Sequence, residues 1–193
     1  MIGISDDYLN GQQNEMDSEP EKITKLTSAE RLLTTAVDLF FDGGDMLAIH
    51  VLSSAAHEVL HVPLKKQGKK ASLLKDSGMV RPGKIKEFHD ILHETQNFLK
   101  HGAKDPNAIL EYYEAETPFW LFDAMQLYSQ LTGSLKYKKF ALFVLWFKLE
   151  HKGMLEDRAR ESLESAAINA EFVKNNFKRL LKNPNQSGLA GLL

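Results

Sequence analysis

Apolar side chains recur at helical spacing along most of this chain, and no segment alternates apolar and polar residues as a half-buried strand would. The spacing is clear from Leu32 to Phe40 and again in the aromatic segment 135–150, where Phe143, Trp146 and Phe147 are expected in the core rather than on a covered surface. We therefore predict an all-α protein, a single helical bundle of about five to six helices over residues 23–182.

Capping and helix-breaking residues predict where these helices begin and end. Thr27-Ser28-Ala29-Glu30 has the form of a capping box for the first helix, and Asp45 is the expected N-cap of the second. Pro63 is expected to stop or kink that second helix. Further helices are predicted from near Pro82 to Gly102, from Thr117 to about 131, over 135–150 and from about 156 to 181.

The charges divide the chain unevenly. Residues 1–21 contain acidic side chains but no Lys or Arg, and the remainder is mildly basic although the whole chain has a net charge of −2. We expect residues 1–22 to form a disordered acidic arm and residues 183–193 a flexible tail. Because no apolar run is long enough to span a membrane and no secretory signal begins the chain, we expect a cytoplasmic protein with no membrane partner.

The segment His57-Glu58-Val59-Leu60-His61 matches a short pattern of zinc metalloproteases. Histidines four residues apart on a helix can reach one zinc ion while the Glu activates its water. The chain has no cysteine, and the continuation with a Gly and a third His that one group of zinc proteases carries after this pattern is missing after Pro63. Metal binding by His57 and His61, in a hydrolase or a binding protein, is therefore the alternative to a bundle helix with surface histidines.

Other histidines extend this pattern. His50 lies on the same narrow helical stripe as His57 and His61, opposite a side made of Ala48, Leu52, Ala55 and Val59. We expect the stripe to lie outside the core, facing solvent, a shared metal or another subunit. His89 and His93 repeat the four-residue spacing, so two such pairs would supply four ligands if their helices faced each other.

The third predicted helix separates apolar from polar residues. Its apolar side is expected to face the core and comprises Ile85, Phe88, Ile91, Leu92, Phe98 and Leu99. On the other side His93, Asn97 and His101 form a polar ridge, bordered by Gln96 and Lys100. Histidine can transfer protons near neutral pH, an amide can hold a substrate oxygen, and a cation can neutralise phosphate. An ordinary solvated helix face would show the same spacing.

Gln96-Asn97-Phe98-Leu99-Lys100-His101 resembles the Arg-Asn-x-x-x-His signature of HEPN domains, and the similarity extends over about residues 25–105. These are small helical proteins, many of them metal-independent ribonucleases of toxin–antitoxin and defence systems, others nucleotide-binding or degenerate. The resemblance implies catalytic roles for Asn97 and His101, substrate-binding roles for Gln96, Lys100 and His93, no cofactor, and a homodimer.

The sequence departs from that family at Gln96, which stands where the signature has Arg. A neutral amide cannot replace the charged, bidentate contact that the Arg is expected to make with the scissile phosphate. The resemblance therefore leaves two interpretations: a ribonuclease in which Lys100 partly substitutes, or a non-catalytic member. A non-catalytic member would bind RNA, a nucleotide or an antitoxin-like protein partner.

Overall fold

The computed structural model describes residues 19–76, 82–102, 106–165 and 168–182, and within these ranges it is helical with no strand. The prediction of an all-α bundle is confirmed. The α-helices are α1 (Lys25–Phe41), α2 (Met46–Lys66), α3 (Ile85–Leu92), α4 (Glu94–Lys100), α5 (Thr117–Thr132), α6 (Lys138–Glu150), α7 (Asp157–Ser165) and α8 (Ala170–Lys182). Most of the predicted acidic arm and all of the predicted tail, residues 1–18 and 183–193, lie outside the described ranges.

The helix starts follow side-chain capping. Asp45 caps α2 as predicted, since its Oδ1 accepts the Ala48 N–H at 2.8 Å. The predicted capping box is wrong, because α1 begins earlier, where Thr24 Oγ1 accepts the Thr27 N–H at 3.1 Å. Glu30 is instead directed at α5 and accepts the Tyr128 hydroxyl at 2.7 Å.

Two predicted helices are interrupted and one is longer than expected. α2 continues past Pro63 to Lys66, so the proline lies in the last turn of the helix and does not end it. The predicted third helix divides at His93 into α3 and α4. The predicted last helix divides between α7 and α8, where Asn169 Oδ1 caps the new helix by accepting the Phe172 N–H at 2.7 Å.

The core lies around α2, which packs between α1 and α5, while α6 packs against α8, α5 and α1. Phe143, Trp146 and Phe147 are buried there, as predicted. Aromatic rings join the layers: Phe41 stacks on Phe177 at 3.9 Å between ring centroids, and Phe122 stacks on Phe147 at 4.1 Å. None of the helices in the described ranges is long and apolar enough to cross a membrane.

Candidate functional site

A buried polar cluster lies where α2 and α5 meet the loop formed by residues 71–76. Its centre is the carboxylate of Asp123, which is 1% exposed. Asp123 Oδ2 lies 2.9 Å from His57 Nε2 and accepts the Ser72 hydroxyl at 2.6 Å. The N–H groups of Leu73 and Leu74 also donate to this carboxylate, at 2.9 Å and 3.1 Å. Four donors thus compensate a carboxylate that has been removed from water.

The protonation of this cluster follows from its geometry. Burial opposes ionisation of Asp123, but the hydrogen bonds from His57 and Ser72 outweigh it and lower the pKa of Asp123. Burial also lowers the pKa of His57, against the smaller raising effect of Asp123. Near neutral pH the pair is therefore an ionised carboxylate and a neutral imidazole, and the imidazole proton is on Nε2.

A second carboxylate fixes the same loop to α2. Asp76 Oδ2 lies 2.9 Å from His61 Nε2 and accepts the N–H groups of Ala71 and Ser72 at 3.1 Å and 3.0 Å. Burial alone would raise the pKa of Asp76, but these hydrogen bonds outweigh that effect and lower the pKa. Gln130 on α5 donates to the Ala71 carbonyl at 3.1 Å. The loop is thereby held at both ends by side chains of the bundle.

Ser72, His57 and Asp123 are not arranged as a nucleophilic triad. In a triad the imidazole stands between the hydroxyl and the carboxylate, so that it can take the hydroxyl proton. Here a single ring nitrogen, His57 Nε2, lies 3.1 Å from Ser72 Oγ and 2.9 Å from Asp123 Oδ2, so the ring does not stand between the two groups. The Ser72 hydroxyl donates to Asp123 directly, and Ser72 is buried. The arrangement anchors a loop, and Asp123 was missed because a lone acid in an apolar helix gives only a weak sequence signal.

The histidine stripe on α2 was predicted to lie outside the core, and that prediction is wrong. His50, His57 and His61 are all buried, whereas Ala55 on the opposite side is exposed. The physical reason is that α5 and the 71–76 loop cover the stripe and bring hydrogen-bonding partners to it. Helical spacing identified the face but not its direction.

The structure gives the two histidine pairs separate environments. Glu58 of the predicted zinc pattern is exposed and pairs with Lys75 at 2.7 Å. His89 lies 3.4 Å from the Lys75 carbonyl, and His93 lies 3.3 Å from Gln96 Oε1. Within the described residues, no group of three or more His, Cys, Asp or Glu side chains is placed to hold a metal ion.

The residues of the predicted HEPN-like site lie on two sides of α4. Asn97 and His101 are exposed and line an open pocket of about 820 Å³ together with Asp90 and Glu94. Gln96 and Lys100 line a different, smaller cavity of about 70 Å³ against α2. The structure therefore brings Asn97 and His101 together and separates them from the two residues expected to bind phosphate.

Two further expectations for this region are wrong. His93 is half-buried near the Trp120 ring, at 6.2 Å between ring centroids, so the polar ridge is not continuous. The apolar side does not face the core, because Ile85, Ile91 and Leu99 are exposed by 43%, 58% and 43%, and Phe98 by 38%. α4 instead turns Thr95 and Gln96 inward, toward the polar side of α2.

Comparison of this chain with protein-family models, curated proteins and solved structures finds no match to any of them.

Proposed function

We propose that this chain is a HEPN-like helical binding module, which acts through protein–protein contact rather than through RNA cleavage. The observation that carries the proposal is the exposed apolar surface of α3 and α4, formed by Ile85, Ile91 and Phe98 and called the α3–α4 face below. A cluster of exposed apolar side chains on adjoining helices is typical of a surface that another protein covers.

A second copy of the chain is the partner that we propose for the α3–α4 face. An antiparallel pairing of two α3 helices about Phe88 would place Ile85 opposite Ile91 of the other copy. A twofold interface repeats this contact, so the Ile85–Ile91 pair occurs twice. An antitoxin-like protein, the other partner implied by the resemblance, is an outcome of the test below.

The variant Ile91→Glu should convert the dimer to a monomer. We expect its dimer dissociation constant to rise roughly a hundredfold, because both copies lose an apolar contact and each gains a carboxylate in the interface. Sedimentation equilibrium over a concentration series measures the constant. The matched control is Met154→Glu, which adds the same charge at a methionine that is 68% exposed outside the α3–α4 face.

Two results would contradict the homodimer. A wild-type chain that sediments as a monomer at every concentration would remove it. Dimers unaffected by Ile91→Glu would place the interface elsewhere. If the wild-type monomer formed a stoichiometric complex with a purified antitoxin-like protein that Ile91→Glu abolished, the face would be a binding surface with a different partner.

Electrostatics favour binding over nuclease activity at this site. A phosphate in the open pocket beside Asn97 and His101 would meet the carboxylates of Asp90 and Glu94. Lys100 lines the other cavity, so its charge lies on the opposite side of α4. A cleavage site needs positive groups where the transition state gains negative charge.

Ribonuclease activity is the second candidate, favoured by the position of Asn97 and His101 in one pocket. If the chain is a binding module, we expect neither the wild type nor His101→Ala to cleave RNA in EDTA above the background of a sample without protein. Quantitative gel analysis of mixed RNA measures this. Cleavage by wild type that fell by about 10²–10⁴-fold in His101→Ala would instead identify general acid–base catalysis. Gln96→Arg tests whether the signature's charge restores activity.

A further inference from the structure

The small cavity between α2 and α4 differs from the open pocket in its lining. His50 and Ser54 line it from α2, and Gln96, Leu99 and Lys100 line it from α4. Its volume of about 70 Å³ is equivalent to roughly five water-sized spaces. This is room for a ligand of a few non-hydrogen atoms, and it excludes a nucleotide.

Two buried polar atoms of this lining have no hydrogen-bonding partner among the described residues. They are Nε2 of His50, a side chain that is 1% exposed, and Nε2 of Gln96. Buried polar groups are nearly always paired, so two such atoms in one lining indicate that a polar ligand completes them. The Gln96 atom is a donor, because its amide oxygen faces His93 Nδ1 at 3.3 Å.

The second orphaned atom, His50 Nε2, is also a donor. Nδ1 of the same ring lies 3.3 Å from Thr117 Oγ1, which in turn lies 2.6 Å from the Tyr112 hydroxyl and 3.4 Å from the Met46 carbonyl. When Tyr112 donates to Thr117, the Thr117 hydroxyl can donate to Nδ1 or to the Met46 carbonyl, and Nδ1 is the nearer of the two. Since the buried ring is neutral, its single proton is then on Nε2.

The charges of the lining select the ligand. Lys100 supplies one positive charge, and the lining contains no carboxylate. The Ser54 hydroxyl donates to the Val51 carbonyl at 3.2 Å, so the available donors are those of His50, Gln96 and Lys100. Three donors and one positive charge match a singly charged anion that accepts hydrogen bonds, whereas a dianion would leave a charge uncompensated.

We propose that the cavity between α2 and α4 is a binding site for a small monocarboxylate of the size of formate or acetate. The carboxylate accepts hydrogen bonds from His50 Nε2 and Gln96 Nε2, and Lys100 neutralises it at the mouth. This site is independent of the α3–α4 face and does not depend on the proposed binding function.

Titration of the full chain with sodium acetate, followed by ¹H–¹⁵N NMR, tests the site. We expect a saturable shift of the Gln96 side-chain amide and the His50 Nε2–H signals, with a dissociation constant of roughly millimolar order, as suits so small a ligand. Sodium chloride keeps the ionic strength constant. Acetamide, which has the shape of acetate but no charge, should bind at least tenfold more weakly.

Variants separate binding in the cavity from a general effect of acetate. Gln96→Leu and Lys100→Gln should each weaken acetate binding by about tenfold or more. The first removes a hydrogen bond to the carboxylate, and the second removes the positive charge that neutralises it. Asn97→Leu is the matched control on the exposed side of α4 and should leave binding unchanged. His50→Phe removes the other donor and should weaken binding as well; if this variant does not fold, Gln96→Leu carries the test, since Gln96 lies on a peripheral helix.

Three outcomes would overturn the assignment: shifts that do not saturate, equal affinity for acetamide and acetate, or unchanged affinity in Gln96→Leu. Each can occur with an intact dimer interface. A failed α3–α4 interface with preserved acetate binding would likewise remove the proposed function alone, so the two failures are distinguishable.

Discussion

Replacement of Asp123 by Ala is expected to lower the free energy of unfolding by about 3–5 kcal/mol. The change leaves a cavity and takes an acceptor from His57, Ser72 and two backbone N–H groups, all in a region closed to water. Each buried donor without a partner costs free energy that no new contact offsets. Urea denaturation followed by circular dichroism measures the loss.

The matched control for this substitution is Asp38→Ala. Asp38 pairs with Lys139 at 2.7 Å, but its side chain is 47% exposed, so its loss should cost no more than about 1 kcal/mol. We expect Asp123→Ala also to release the 71–76 loop, seen as faster proteolysis there. A cost for Asp123→Ala equal to that of Asp38→Ala would mean that the buried hydrogen bonds do not support the fold.

The fold class could be predicted from the sequence because helix formation is local. Apolar residues at helical spacing, together with Asp45 as an N-cap, depend on neighbours within one or two turns. The same locality explains the errors in helix ends. Thr24 and Thr27 are both acceptable caps, and Glu30, which the capping box requires beside Thr27, is bound by Tyr128 of a distant helix instead.

The direction of a helix face could not be predicted for α2. Its buried face includes three histidines, which hydrophobicity alone assigns to solvent. Their hydrogen-bonding partners all come from outside the helix: Thr117 and Asp123 from α5, and Asp76 from the 71–76 loop. The spacing of residues within one helix does not show which residues of other elements will contact that helix.

The candidate site on α4 could be predicted from the sequence only in part. The spacing correctly placed Asn97 and His101 on one side of α4. It could not show that Gln96 would lie against His50 of α2, because that contact depends on how α4 packs. The same reasoning assigned the apolar side of α3 and α4 to the core. In a protein that associates, however, an apolar helix side can form an interface instead.

The stability of the protein should fall between about pH 6.5 and pH 4, and His50 should account for about 3 kcal/mol of the loss. Burial lowers the pKa of His50 from 6.5 to about 4 in the folded protein. Between these values the unfolded chain binds a proton that the folded protein excludes. Stability is therefore complete above pH 6.5 and declines as the pH falls, at about 1.4 kcal/mol for each unit of pKa difference.

Other groups act in the same direction but are separable. Burial lowers the pKa of His57 as well, so it adds to the decline, whereas the lowered pKa values of Asp123 and Asp76 matter only in more acidic solution. Urea titrations from pH 7.5 to pH 4 should therefore show a shallower decline in His50→Gln than in wild type. The matched control, His101→Gln, makes the same substitution at an exposed histidine and alters no buried group. The buffers must contain no carboxylate, because acetate bound beside His50 would stabilise the folded protein and alter the slope. Parallel curves for His50→Gln and wild type would contradict this prediction, because they would show that folding leaves the pKa of His50 unchanged.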